Sequence, residues 1–277
     1  MSNVVMTNTD IDFESIKKAQ RAGWETGDYP RVGNTLQIIA ERLVEAADVR
    51  AGQRTLDVAC GQGNAAIAAA RRFAEATGVD YAVNLLAQGR ERAAAEHLAV
   101  TFTEGDAERL PFPDGSFDLA LSTVGVMFAP DHRRAADELV RVTAAGGRIA
   151  LASWTPDGMI GQLFRTVGAW APPPAGVRPP TLWGTPEHLA ELFGERVEWI
   201  GLTRREYVFR YHSPAHFSQW FRRFYGPITR LAGNLTSQDL ERFGEDLAGV
   251  ALRYNRADDG TVAAPAEYLE AVGVRRG

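Results

Sequence analysis

The chain has 277 residues, 45% hydrophobic and 23% charged, which is apolar material enough for one large α/β domain with an elaboration or for two small ones. With 30 basic and 35 acidic residues the net charge is -5, so it carries no electrostatic footprint for a nucleic acid or another polyanion. A single cysteine, Cys60, excludes an intramolecular disulfide and fits a reducing cytoplasm, and no apolar run approaches the ~20 residues of a membrane span.

The opening segment, Met1 to Asn8, lacks the basic head and apolar core of a secretory signal. Residues 13–49 read mostly as helix, with Ile38, Ile39, Leu43, Val44 and Ala47 at helical spacing. The turn-rich Trp24-Glu25-Thr26-Gly27-Asp28-Tyr29-Pro30 interrupts them, its two aromatics either lining a ligand site or pinning the loop. Next comes Leu56-Asp57-Val58-Ala59-Cys60-Gly61-Gln62-Gly63-Asn64, an apolar stretch ending in an acid and two glycines. A Gly-x-Gly step after a strand lets the backbone turn tightly and approach a ligand. Alone it also fits the G-x-G-x-x-A form of a nicotinamide or flavin dinucleotide site. Asp57, just ahead of the glycines, can accept hydrogen bonds from a cationic ligand or hold the loop, and would repel a pyrophosphate. Cys60 has no histidine near it in sequence, and packing is its expected role.

A second acid ends Gly78-Val79-Asp80, where a carboxylate can bind the two hydroxyls of a ribose. A third lies in Glu104-Gly105-Asp106-Ala107-Glu108, after a β-rich run, placed to accept from an adenine amino group. Phe117-Asp118-Leu119-Ala120-Leu121-Ser122 reads as a buried strand, and Ala145-Gly146-Gly147 as a turn feeding another. Asn84 and Asp131 are expected to cap helices. This alternation over residues 54–153 predicts right-handed βαβ units, hence an α/β, doubly wound, mostly parallel sheet.

After Trp154 the pattern changes: proline-rich stretches at 171–174 and 178–180, a short helix from Thr185 through Phe193, and a long strand over Val197–Tyr211. Two helical stretches follow between Ser213 and Arg256, the first carrying Phe217, Trp220, Phe221, Phe224 and Tyr225; residues 268–274 form a last strand. Of the histidines, His97 ends an exposed helix, and His132 and His188 sit in first helical turns, where solvent exposure is the default. Only His212 and His216 are expected near a substrate.

The pieces LDVACGQGN, GVD, EGDAERLPFPDGSFDLALS, APDHRRAADELVRV and GGRIALASW stand in one order over roughly residues 54–154. With them the chain resembles the class I S-adenosylmethionine-dependent methyltransferases. It is most similar to the branch holding the ubiquinone/menaquinone-biosynthesis C-methyltransferases and many small-molecule enzymes (methyltransferase domain 11). It departs at Ala59, where many members have a first glycine, and at Thr143-Ala144-Ala145, where a basic residue and a proline are usual. The resemblance implies a seven-stranded Rossmann-like sheet whose last strand is antiparallel. Residues 1–52 would be an N-terminal helical lid, 53–212 the cofactor-binding core, 213–256 a helical cap over the acceptor site and 257–277 the final strand.

It also implies S-adenosylmethionine as cofactor and S-adenosylhomocysteine as product, with Asp57, Ala59, Gly61, Gly63, Asn64, Asp80, Tyr81, Asp106, Ala107 and Ser122 around the cofactor. On the acceptor side stand Tyr29, Met127, Phe128, Trp154, Trp220 and Tyr225, with Trp170 a further aromatic candidate. No catalytic base and no metal ligand is assigned. After the fourth strand Ser122-Thr123-Val124-Gly125 replaces the Asn/Asp-Pro-Pro-aromatic signature of nucleobase and glutamine methylation, and the apolar Val126-Met127-Phe128 suits a hydrophobic small-molecule acceptor, a quinone precursor or secondary metabolite. No nucleic-acid or membrane partner is expected; a homodimer is compatible with the sequence. A nicotinamide oxidoreductase on the same loop and a non-catalytic S-adenosylmethionine-binding relative remain the alternatives.

Overall fold

The computed structural model describes residues 11–277; residues 1–10, with the Met1 to Asn8 segment and the start of the expected lid, lie outside the described residues. β1 (Arg54–Val58) is buried at every position after Arg54, as a central strand covered on both faces must be. It pairs in parallel with β2 (Glu75–Asp80) on one side and β4 (Phe117–Thr123) on the other. β3 (Val100–Glu104) extends the sheet beyond β2, and β5 (Thr143–Trp154) extends it beyond β4, both in parallel. β6 (Val197–Tyr211) forms the far edge, and β7 (Val262–Arg275) slots antiparallel between it and β5. The order is β3-β2-β1-β4-β5-β7-β6, the expected doubly wound seven-stranded sheet with its last strand antiparallel. Because the winding reverses between β1 and β4, a crevice opens at their carboxyl ends.

Helices cover both faces. α1 (Phe13–Trp24), the single turn α2 (Pro30–Gly33) and α3 (Gln37–Ala46) precede β1, and α3 packs on α4 (Asn64–Ala70). Every residue of α4 after Asn64 is buried, and its five alanines let it lie close between α3 and the sheet. α5 (Val83–Ala95) follows β2, α6 (His132–Val142) follows β4, and α7 (Met159–Trp170) and α8 (Pro186–Phe193) lie between β5 and β6. α9 (Pro214–Phe224), α10 (Gly226–Ala232) and α11 (Ser237–Tyr254) separate β6 from β7. α10 meets α1, where the Arg230 guanidinium donates to the Ala19 carbonyl at 2.8 Å. Among the described residues no helix is long and apolar enough to cross a membrane.

Several expectations are corrected. Asn84 does not cap α5: Ala82 holds the N-cap position, and Asn84 lies in the first turn with its Oδ1 buried and unpartnered among the described residues. The cap contact comes from upstream, with the Ala82 N–H donating to Asp80 Oδ1 at 2.8 Å. The region after β6 holds three helices because Tyr225 is extended and Pro227 starts a new turn. β7 begins six residues earlier than the expected 268, since Ala263-Ala264-Pro265-Ala266 reads as loop although Val262, Ala264 and Ala266 alternate as buried residues. α7 was not expected at all. Asp131 and Thr185 do cap, accepting from Arg134 N–H and His188 N–H.

Two strand tips carry strain. Ala59 after β1 and Val124 after β4 both have φ +52°, a region that disfavours a residue with a Cβ and a β-branched one most of all. Across this gap Gly125 has no substitute, because a Cβ there would stand 2.2 Å from the Ala59 carbonyl oxygen. Relieving the strain at Ala59 outweighs the added freedom of the unfolded chain. Ala59→Gly is therefore expected to raise unfolding stability by about 0.5–1 kcal/mol in a denaturant titration; a loss of stability would show that the backbone there is unstrained.

Candidate functional site

The crevice is built on hydrogen bonds that backbone amides donate to strand-end carboxylates. Asp57, 2% exposed at the end of β1, accepts from Ala66 N–H in the first turn of α4 at 2.9 Å. Asp80 at the end of β2 accepts from Gly61 N–H at 2.8 Å, fixing the loop between β1 and α4. Gly63 then turns into α4 with φ +80°, where a Cβ would strike the Phe102 ring at 2.6 Å. Asn64 donates to the Gly33 carbonyl at 2.9 Å and accepts from Arg92 at 2.8 Å, tying loop to α2 and α5. Ser122 donates to the Val58 carbonyl at 2.7 Å and accepts from Val126 N–H at 2.8 Å, bracing the tips of β1 and β4.

At the β3 end, Asp106 Oδ1 accepts from Glu108 N–H at 2.9 Å, and its Oδ2 meets the Lys17 ammonium at 2.6 Å. Lys17 also lies 3.0 Å from the buried Glu108 carboxylate and 2.7 Å from Glu14. Burial alone would lower the Lys17 pKa; its carboxylate partners Asp106, Glu14 and Glu108 raise it instead.

These groups line a cleft with about 780 Å³ of empty space, part of it open to solvent. Of the residues expected around a cofactor, Asp57, Ala59, Gly61, Asn64, Asp80, Tyr81, Asp106 and Ala107 line it, while Gly63 and Ser122 stand behind its wall. Lys17, Gln62, Thr123 and Glu108 line it too and were missed. Burial pushes the Asp57 carboxyl up to about 7, against the Ala66 N–H and with Asp80 adding to the rise. Burial likewise raises Asp80, against its backbone donors. Neither acid has a cation in salt-bridge contact among the described residues. Gln62 Oε1 and Thr123 Oγ1 are buried without a hydrogen-bond partner among them. A buried carboxylate lacking a counter-charge, beside unsatisfied oxygens, fits a ligand that brings positive charge and hydroxyl or amino donors.

A second, much tighter cavity shares Trp24, Tyr29, Val124 and Phe128 with the cleft as a common wall. The Trp24 ring stands edge-on to its neighbours, with centroids 5.4 Å from Tyr29, 5.0 Å from Phe128 and 5.4 Å from Tyr225. Of the expected acceptor-side residues, Tyr29, Phe128, Trp154 and Tyr225 line this cavity. Met127 and Trp220 line neither: Met127 is fully buried in the core, and Trp220 packs on Phe224, Tyr211 and His216. Trp170 also lies elsewhere, donating to Asp246 at 2.8 Å. Ile160, Leu163 and Phe164 of α7 complete the wall; their helical spacing was the available signal.

The histidines are corrected as well. His132 and His188 are 3% and 5% exposed because α8 packs on α6, bringing His132 Nδ1 to 2.9 Å from His188 Nε2. His188 Nδ1 lies 3.1 Å from Glu191, and the His132 ring lies edge-on to Trp183. Burial drives His132 down to about 3, helped by His188 and Arg178. The His212 and His216 rings lie against each other, tilted with centroids 4.9 Å apart, and line neither cavity.

A methyltransferase-domain family model matches residues 56–151, the stretch that supplies the acids and the glycine loop. The chain belongs to the class I S-adenosylmethionine-dependent methyltransferases. Its cofactor is S-adenosylmethionine, and the cleft has the charge and the free acceptors to take it. An uncharacterized protein of Mycobacterium tuberculosis is 41% identical over 210 residues, covering 75% of this chain and 77% of that protein. The demethylmenaquinone methyltransferase of Thermus thermophilus is 40% identical over 128 residues, covering 45% of this chain and 58% of that enzyme. Among solved structures the fold resembles a Bacillus halodurans protein with TM-score 0.63 at 18% identity, covering 86% of this chain and 99% of that one. It also resembles the [4+2]-cyclase SpnF with TM-score 0.54 at 21% identity, covering 87% and 81%.

The buried histidine pair is expected to make the protein acid-sensitive. The folded-state pKa of His132 lies near 3, below the unfolded value near 6.5, so between them the unfolded chain binds more protons. Stability is expected to fall as pH drops from about 6.5 toward 3, by up to about 1.4 kcal/mol per pH unit from this group. Denaturant titrations of His132→Gln should show a shallower slope over that window; an unchanged slope would assign the acid loss to other groups.

Proposed function

We propose that the protein transfers the methyl group of S-adenosylmethionine to a hydrophobic small-molecule acceptor, a secondary metabolite or quinone-like compound, seated in the second cavity. The observation carrying this reading is the shared wall: an apolar, aromatic cavity adjoins the acid-lined cleft at Trp24, Tyr29, Val124 and Phe128. When bound, S-adenosylmethionine supplies a methyl group already activated by its sulfonium charge, so the protein mainly has to align acceptor and methyl.

In this reading Asp80 holds the ribose hydroxyls and Asp106 accepts from the adenine amino group, with Ala107 and Tyr81 packing beside the base. Asp57, Ala59, Gly61, Gly63 and Asn64 shape the loop that carries the methionine end. Ser122 acts through the backbone it braces. The aromatic wall excludes water, which favours a displacement that disperses charge, and its ring faces attract a sulfonium. Residues 11–52 serve as the described part of the lid and 213–256 as the cap: α1 and α10 meet over this edge of the sheet. Methylation in the cytoplasm, by a chain with one cysteine, is part of the same reading.

Calorimetry tests it. Wild-type protein is expected to bind S-adenosylhomocysteine at one site and to give no heat with a nicotinamide dinucleotide. Asp80→Ala, which removes a charged hydrogen-bond acceptor, should weaken that binding about 10- to 100-fold with the fold intact by circular dichroism. Unchanged affinity would refute the ribose role, and preference for the dinucleotide would refute methyl transfer.

A further inference from the structure

The 35 acidic residues are spread along the chain, yet none falls between Tyr207 and Gln238. This stretch, the end of β6 with α9, α10 and the turn after them, holds Arg210, Arg222, Arg223 and Arg230 together with eight aromatic residues. None of the four guanidiniums has an ion-pair partner among the described residues. The acids that flank the stretch are engaged with other groups: Glu206 pairs with Arg256, and Asp239 accepts from the Thr236 hydroxyl at the start of α11. Arg222 turns inward to the Leu240 carbonyl, whereas Arg210, Arg223 and Arg230 are exposed.

Beside these charges runs a row of rings. His212, just ahead of α9, is followed one turn at a time by His216, Trp220 and Phe224, with centroids 4.9, 5.6 and 4.7 Å apart, and each ring is at least partly open to solvent. At the end of the row the guanidiniums of Arg31 and Arg223 lie 5.0 and 5.1 Å from the Phe224 centroid. Unpaired positive charge beside half-buried aromatic rings suits the boundary between anionic head groups and acyl chains. A nucleic acid fits less well, because Trp220 meets His216 and Phe224 at 72° and 66° and leaves no stacking platform for a run of bases.

We propose that the outer face of residues 207–238 docks on a bilayer bearing anionic head groups. The protein lies on this surface without spanning it, as no described helix is long and apolar enough to cross. Whole-chain charge conceals the face, since the remaining residues hold 26 basic against 35 acidic ones. Phe221 and Tyr225, from the same end of α9, wall the second cavity, so docking sets that cavity beside lipid.

Co-sedimentation with vesicles tests this, using phosphatidylcholine alone and phosphatidylcholine mixed with phosphatidylglycerol. The full chain is expected to pellet with the mixed vesicles, to stay in solution with phosphatidylcholine alone, and to be released by molar sodium chloride. Arg210→Glu with Arg223→Glu should weaken partitioning at least about tenfold, with circular dichroism as in wild type. The milder Arg210→Gln with Arg223→Gln should show a smaller loss in the same direction. Arg253→Glu with Arg276→Glu changes net charge equally at exposed arginines outside the stretch and should leave partitioning near wild type. No binding to mixed vesicles, equal binding to phosphatidylcholine alone, or an equal effect of the two glutamate pairs would each overturn the proposal. Vesicle binding requires no cofactor, so the outcome is independent of the methyl-transfer reading.

Discussion

The buried carboxylate of Asp57 holds the site together and also leaves it incomplete. Through Ala66 N–H it joins the end of β1 to the start of α4, and this sets where the glycine loop must run. At 2% exposure, with Asp80 nearby and no cation in contact among the described residues, it sits in a position that ordinary folding would avoid. A ligand that brings positive charge into the cleft removes that penalty, so the loop geometry and the demand for a cationic cofactor have one origin. Strain at Ala59 and Val124 belongs with it: both left-handed residues sit at the strand tips that face the cleft, where the fold tolerates local cost because the surrounding sheet fixes the backbone.

One face of α1 closes this edge. Lys17, Arg21 and Trp24 recur at intervals of four and three, and in turn they meet Asp106 with Glu108, Glu104, and the wall between the two cavities. The contacts differ in weight. Arg21 and Glu104 are both well exposed, and such a pair contributes little. Glu108 is 2% exposed, and without Lys17 its carboxylate would be buried uncompensated. The helix thus spans both cavities, its charged end at one side of the cleft and its aromatic end at the wall of the second cavity.

The fold and the cofactor cleft were legible because their signals are local. Acids at strand ends and glycines at a required turn are written within nine residues, as in the stretch from Leu56 to Asn64, and strand-helix alternation orders the sheet. The second cavity was only half legible. Tyr29, Phe128, Trp154 and Tyr225 do line one cavity together, yet Trp220, on the same aromatic helix as Phe221, turns away, and aromatic composition cannot say which ring faces inward. Leu163 and Phe164 lay in a helix hidden next to proline-rich segments. Lys17 pairs with residues 89 and 91 positions away, a tertiary contact with no local trace. The His132–His188 contact was invisible for the same reason, since first-turn positions are exposed until another helix covers them.

A crystal structure of the S-adenosylhomocysteine complex tests the central claim most directly. The account predicts adenine beside Asp106, ribose on Asp80, and the thioether sulfur directed at the Trp24–Phe128 wall that the two cavities share. A nucleoside bound in the reverse sense, or a sulfur directed away from that wall, would contradict it.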